Sequence, residues 1–409
     1  MITALRGMKD IFDSEAKIYK FIIDTCQQIA QNYGYELCET PKLEQTPLFR
    51  RSVGESSDIV GKEMYEFNDK GGNSVCLRPE GTAGVVRAFI EHKFDRTGGV
   101  KKFYYYGSMF RYERPQKGRL REFHQFGVEC FGQPSVYEDA TLIIMLSEIL
   151  KALGIKAILK INSLGDKESM SEYRANLIKF VSSYENKLCD DCQRRLKTNP
   201  IRILDCKNDD CQKILQNAPT ILESLNQICS NEFETLKNLL SKANIAYEVD
   251  CKLVRGLDYY TKTAFEFISD EIGAKSAVAG GGRYDSLVEM LGGKPTFGVG
   301  WAMGIERIME IIKNKQILSP RNGIYMCVLD EKYLKNLYFL GLNLRKTHKV
   351  EISYEAKSPN KHLNIADKNG AKIFLCIGEN EAKNNEIWYK NLENKEEKRI
   401  KIDHLKDEL

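Results

Sequence analysis

Apolar positions recur at helical spacing near the start of the chain. Ile18, Phe21, Ile22, Cys26, Ile29 and Tyr33 fall on one face of a helix that Asp13 or Ser14 can cap and Gly34 ends. Residues 35–43 read as an extended piece, and Pro41 inside it makes it an edge or interface strand. Pro79-Glu80-Gly81-Thr82 is a tight turn that feeds a helix starting near Thr82 or Ala83. The run from Phe103 to Gly132 then reads as two strands joined by a basic loop. The first strand is almost wholly aromatic or apolar. The second, over residues 122–131, puts Gln125, Gly127 and Glu129 on one face, because strand side chains alternate. The glycine leaves open space over that polar floor.

Residues 139–153 return to helical spacing, with Leu142, Ile143, Leu146, Ile149, Leu150 and Leu153 apolar, and residues 156–163 read as a strand. Between 167 and 247 the character changes. Two helical segments, 167–188 and 219–242, flank a cysteine-bearing link, with Pro219 suited to the first turn of the second helix. Ala279 to Asp285 is a glycine-rich turn. It precedes a strand and a helix whose apolar side is Ile305, Ile308, Met309 and Ile312, with Arg307 off that face. Residues 312–320 read as a linker. Beyond it, strands over 323–329, 350–354 and 371–377 alternate with helices over 332–346 and 363–369, which is the pattern of an α/β module.

Composition narrows the class without choosing a function. The chain of 409 residues is 42% hydrophobic and 29% charged, enough to bury the cores of two or three domains. A net charge of +4 permits a nucleic-acid partner but leaves any basic footprint local. No apolar run is long enough to span a bilayer, and the first residues lack the apolar core of a secretion signal. Twelve cysteines in such a chain imply a reducing, cytoplasmic setting. The terminal Lys-Asp-Glu-Leu matches a retention signal for a compartment that nothing here would bring the chain to enter, so coincidence is expected.

Several clusters carry chemistry, each with a plainer reading beside it. Arg111, Arg114, Lys117 and Arg119, at and within the basic loop, can hold an anion over the polar floor, or pair with surface carboxylates. Glu80 and Thr82 could hold an ammonium group, or be a surface charge and a helix cap. Arg255 could face a negative reactant, or pair structurally with Asp258. The glycine run lacks the Gly-Lys-Ser/Thr of a Walker loop. Cys189, Cys192, Cys206 and Cys211 are spaced so that they could make a tetrahedral zinc site. Their second pair is looser than a zinc ribbon, and reduced, unliganded thiols are the expectation. The five histidines show no paired-ligand spacing.

These motifs together resemble a family. F-R-Y-E-R-P-Q-K-G-R-L-R-E-F-H-Q over 110–125 resembles motif 2 of the class II aminoacyl-tRNA synthetases in its histidyl-tRNA synthetase form. L-V-R-G-L-D-Y-Y over 253–260 resembles the signature peculiar to that family, E-T-P-K-L-E-Q-T-P-L-F over 39–49 resembles motif 1, and the segment around Arg307 resembles motif 3. The resemblance covers essentially the whole chain. It implies an α+β catalytic domain over 1–320, an antiparallel sheet flanked by helices, interrupted by a helical insertion at 167–247. It also implies an α/β anticodon-binding domain over 321–409.

The implied activity is ATP-dependent formation of histidyl-adenylate and pyrophosphate, followed by transfer of histidine to the 3′ end of its tRNA. By resemblance, Arg111 and Arg255 stand at the α-phosphate and carboxylate, and Arg119 and Arg307 at the outer phosphates and the adenine or ribose. Glu80, Thr82 and Gln125 suit the ammonium and carboxylate of L-histidine, and Glu129, Tyr259 and Tyr260 its ring. Mg2+ would share the pyrophosphate charge, and metal at the four cysteines is no part of the family's chemistry. The partners implied are the tRNA, at its acceptor end and anticodon, and a second copy of the chain in a homodimer; no membrane is implied. A synthetase-like regulatory subunit of histidine biosynthesis and a pseudo-synthetase module are the rivals. The intact 255–260 stretch and the module beyond residue 320 speak against the first.

Overall fold

The protein is described by a computed structural model over residues 1–54, 57, 59–204, 206, 208–254, 259–272, 276–315 and 321–409. It divides into two compact units, Met1–Ile317 and Leu318–Leu409. The strands of the first unit are β1 (Glu36–Leu37), β2 (Leu43–Gln45), β3 (Glu66–Asn68), β4 (Ser74–Leu77), β5 (Lys101–Phe110), β6 (Glu122–Phe131), β7 (Ile158–Ser163), β8 (Tyr247–Val249), β9 (Thr261–Ser269), β10 (Ser276–Arg283) and β11 (Gly298–Gly304). Eight of them form one sheet in the order β1-β5-β6-β11-β10-β9-β7-β8. Neighbours run antiparallel except at the two edges, where β1 pairs with β5 and β7 with β8 in parallel.

Strand alternation divides this sheet into two unlike faces. Phe126, Val128 and Cys130 of β6 and Trp301 and Met303 of β11 point into an apolar core. Four helices close that core: Asp13–Asn32 through Ile22, Ile23 and Cys26; Val136–Ala152 through Leu142, Leu146 and Ile149; Gln227–Lys242 through Phe233, Leu236 and Leu240; and Ile305–Asn314 through Ile305, Ile308, Met309 and Ile312. The opposite face carries Gln125, Gly127 and Glu129. Register places Gly127 between Tyr105 and Ala302, and Glu129 between Phe103 and Gly300. One face is filled by hydrophobic burial, and the other sets these polar groups beside a second apolar cluster that includes Val86, Phe89, Tyr105, Met109 and Phe131.

The structure departs from the sequence reading at several elements. The glycine-rich run is not a turn but the strand β10. A Cβ on Gly281 would stand 2.1 Å from the carbonyl oxygen of Gly300, so the bare backbone is what lets β10 and β11 pack here. The extended piece over 35–43 is broken between two sheets: β1 joins the large one, whereas β2 joins β4 and β3 in a small three-stranded sheet. The first helix is preceded by Phe12 and has no side-chain cap.

The insertion is more finely divided than two helices. Lys167–Ser182 is followed by Asp190–Thr198, Asp209–Leu215 and Gln227–Lys242, with 3-10 turns between. Pro219 does not open the last helix. Asn226 caps it, accepting from the Cys229 amide at 3.0 Å.

The second unit is a five-stranded sheet of β12 (Ile324–Val328), β13 (Val350–Ile352), β14 (Ile373–Ile377), β15 (Glu386–Asn391) and β16 (Glu397–Lys401), in the order β13-β12-β14-β15-β16. The first three are parallel and the last two add an antiparallel hairpin. The helices Leu334–Leu344 and Pro359–Lys368 cover it. The hairpin escaped the sequence reading because only Ile387, Tyr389 and Ile400 are buried among its lysines and glutamates. Among the described residues no helix is long and apolar enough to cross a membrane.

Candidate active site

A cavity of about 230 Å³ lies over the polar face of the large sheet. Its wall brings together Glu80, Thr82, Gln125, Tyr259 and Tyr260 with Arg111, Arg119 and Arg307. Glu129 lies beneath the wall. Arg255, the candidate in the most specific motif of the sequence, and Asp258, its partner in the plainer reading, lie outside the described residues.

The inner end is built by three buried acids and hydroxyls around the start of helix Thr82–Glu91. Glu80 is 4% exposed, and its carboxylate accepts from the amides of Thr82 at 2.7 Å and Ala83 at 2.8 Å. It therefore caps the helix, and the reading of Glu80 as a surface charge and Thr82 as the cap is reversed. The Thr82 hydroxyl is free of capping and donates to Glu129 at 2.7 Å. Glu129 is 1% exposed and also accepts from the Tyr105 hydroxyl at 3.3 Å and from Tyr284. Burial pushes its carboxyl up to about 8; the three hydroxyl donors pull it back and the nearby Glu80 charge adds to the rise. Burial likewise raises Glu80, against its two backbone hydrogen bonds and Arg111.

Glycines make room for this cluster. A Cβ on Gly127 would come 2.4 Å from the ring of Tyr105, and one on Gly81 2.1 Å from the same ring. A Cβ on Gly300 would come 1.9 Å from Oε2 of Glu129. The space above Gly127 is thus not open, as the sequence suggested, but filled by Tyr105. Two wall atoms remain buried without a hydrogen-bond partner among the described residues: Oε1 of Gln125 and the Tyr259 hydroxyl. An unmet buried polar atom costs about 1–3 kcal/mol, which a polar ligand can recover.

Three arginines converge on the same cavity. Arg111 is held by its Nε, which donates to the Pro79 carbonyl at 2.9 Å, and stands 5.2 Å over the Phe123 ring. Arg119 lies 3.4 Å from Glu113. Arg307 donates to the Ala277 carbonyl, and its stem runs against Gly118, where a Cβ would meet Cγ at 3.2 Å. Burial, then Arg119, lowers the Arg307 guanidinium; Glu113 opposes this and Arg111 adds to it. A pocket in which cations disfavour one another is complementary to a polyanion. Arg307 owes its place to Glu306, which accepts from the His124 amide at 2.9 and 3.0 Å and from His124 Nδ1 at 2.7 Å, tying the Ile305–Asn314 helix to β6.

Tyr105, Tyr284, Glu113 and Glu266 belong to the site and were missed in the sequence. Tyr105 was within reach, since hairpin register sets it opposite Gly127. Tyr284 was not, because it lies in a run read as a turn.

A largely antiparallel sheet with one face closed by helices and the other holding arginines and acids over glycines is the arrangement that the resemblance to the class II synthetases implied. Residues 7–308 match the family model of histidyl-tRNA synthetase and residues 324–409 that of an anticodon binding domain. The histidine–tRNA ligase of Campylobacter fetus is 71% identical over 409 residues, and that of Campylobacter lari 61% identical, each match spanning 100% of both chains. The apo histidyl-tRNA synthetase of S. aureus aligns with a TM-score of 0.82 at 35% identity, over 100% of this chain and 99% of that one. The chain belongs to the histidyl-tRNA synthetase family. Its activity is the ATP-dependent ligation of L-histidine to tRNA through histidyl-adenylate.

Proposed function

We propose that the cavity seats L-histidine and ATP together, with the histidine ring at the inner end and the phosphates among the arginines. The observation that carries this reading is the Gln125 acceptor, unmet among the described residues, beside converging guanidiniums on one wall. Glu80, Thr82 and Gln125 take the ammonium and carboxylate of histidine. Tyr259 and Tyr260 flank its ring, and Glu129 accepts from a ring nitrogen once the Thr82 hydroxyl turns to the substrate. Arg111 and Arg255 steady the α-phosphate as the histidine carboxylate attacks it. Arg119 and Arg307 hold the outer phosphates and the adenine or ribose. Fixed cations do this work by positioning and by stabilising charge that develops in the transition state.

Glu113 and Glu266 on the wall are oxygen donors of the kind Mg2+ takes, so the site fits that ion. Bound there, it would share the phosphate charge.

The loop between β5 and β6, with Arg114 and Lys117 exposed, faces the tRNA acceptor end through phosphate contacts. The Leu318–Leu409 unit takes the anticodon. Two copies pair through the motif 1 segment, where Leu43 is an exposed apolar residue. The protein works in the cytoplasm.

The test is ATP–pyrophosphate exchange with each of the twenty amino acids supplied singly. Exchange is expected with histidine alone, and Arg255→Ala is expected to abolish it while the protein stays folded. An Arg255→Ala variant exchanging at a near wild-type rate would remove that residue from the reaction.

A further inference from the structure

The insertion carries a feature that the ligase reaction does not use. Four cysteines from two short helices and the stretch between them meet in its core. Cys189 immediately precedes helix Asp190–Thr198, Cys192 lies in its first turn, Cys206 sits in the following loop, and Cys211 lies in the first turn of Asp209–Leu215. Their four sulfurs all lie within 4.8 Å of one another, and Cys189 and Cys206 are 3.7 Å apart. Four thiolates around one zinc ion at about 2.3 Å stand about 3.8 Å apart, by tetrahedral geometry. We propose that Cys189, Cys192, Cys206 and Cys211 bind a structural zinc ion that pins the insertion.

The surroundings suit a closed structural site. The Cys189 amide donates to Cys211 Sγ at 3.3 Å and the Asn208 amide to Cys206 Sγ at 3.4 Å, the hydrogen bonds that steady thiolate ligands. Cys192 and Cys211 are fully buried, which excludes water from the ion.

The elements held together are short, and helices of this length are marginal in isolation. The core they share is thin: Tyr173, Leu177, Val181, Leu196, Ile203 and Leu215 supply much of it. A metal clip is the usual remedy for so small a core. The sequence argued for unliganded thiols because the second pair is loosely spaced. Folding brings Cys206 and Cys211 to the first pair regardless of that spacing.

The experiment measures zinc by atomic emission in the full chain, purified without chelator or added metal. About one zinc per chain is expected. Cys192→Ser and Cys206→Ser should each lose most of it, and Cys251→Ser, outside the cluster, should keep it. Wild-type protein stripped of metal and given Co2+ should show the thiolate charge-transfer and tetrahedral ligand-field bands, and Zn2+ should erase them. This last readout needs no variant to fold. A folded wild-type chain that holds no zinc and gives no such bands overturns the proposal. So does full zinc retention by Cys192→Ser, or a disulfide among these four cysteines in protein kept reduced.

Discussion

Glu129 is the residue on which the inner pocket turns. A carboxyl raised to about 8 by burial holds its proton in the folded state through a range where the unfolded chain has lost it. Its contribution to stability is therefore complete below about pH 4.5, and is lost as pH rises through 8. Glu129→Gln removes this titration. The variant should show a flatter decline in Tm between pH 5 and 9 than the wild type, read by thermal melts in matched buffers. If Glu129 pairs the histidine ring as proposed, the variant should also lose on the order of 10²-fold or more in kcat/KM for histidine, because a polar ring is then mispaired. A variant with wild-type kinetics and an unchanged Tm profile would count against both roles. Gly300 supports the same carboxylate silently: with Oε2 1.9 Å from where a Cβ would stand, no other residue fits beneath it unless Glu129 moves.

At the scale of elements, the cavity depends on how β10 is tied to the helix Val136–Ala152. Arg283, at the end of β10, is buried and ion-paired with Asp139 of that helix; its Nη1 also reaches the Gln133 carbonyl at 3.0 Å and Asp285 at 3.2 Å. Removing one partner leaves a charge buried alone. Arg283→Ala should destabilise the first unit by about 3–5 kcal/mol, measured by denaturant unfolding, and Arg283→Lys should recover only part of this because it cannot reproduce the fork. A loss under about 1 kcal/mol would mean the pair is solvated in solution. The same elements show what pattern reading can and cannot do. The helix Ile305–Asn314 was legible from its apolar spacing. The strand β10 was not, because Ala279, Gly280, Gly281 and Gly282 have no side-chain period to read.

At the scale of the whole molecule, each unit has its own apolar core, centred on Phe126, Leu146 and Trp301 in one and on Met326, Leu337 and Leu375 in the other. Each should therefore fold without the other. A chain ending at Ile317 should keep ATP–pyrophosphate exchange within about threefold and lose on the order of 10²-fold in tRNA charging. That loss corresponds to about 3 kcal/mol of anticodon contact. Unchanged charging by the folded truncation would assign tRNA selection to the first unit instead.

The sequence by itself determined the family, the two-face alternation of β6 and most helices, because these rest on local periods and on motifs that keep their order along the chain. It also supplied Glu80, Thr82, Gln125, Tyr259, Tyr260, Arg111, Arg119 and Arg307, which share one cavity wall. Only the tertiary structure decided that Glu80 caps a helix, that Tyr105 fills the space over Gly127, and that Tyr284 bonds Glu129. It alone decided that four loosely spaced cysteines meet. The Glu80 cap is local, but a turn sequence does not say whether the carboxylate or the hydroxyl meets the first amides. The other contacts are made across the fold, and their partners are chosen by strand register, by how short helices pack and by where glycine leaves room, which the local order of residues carries only in part.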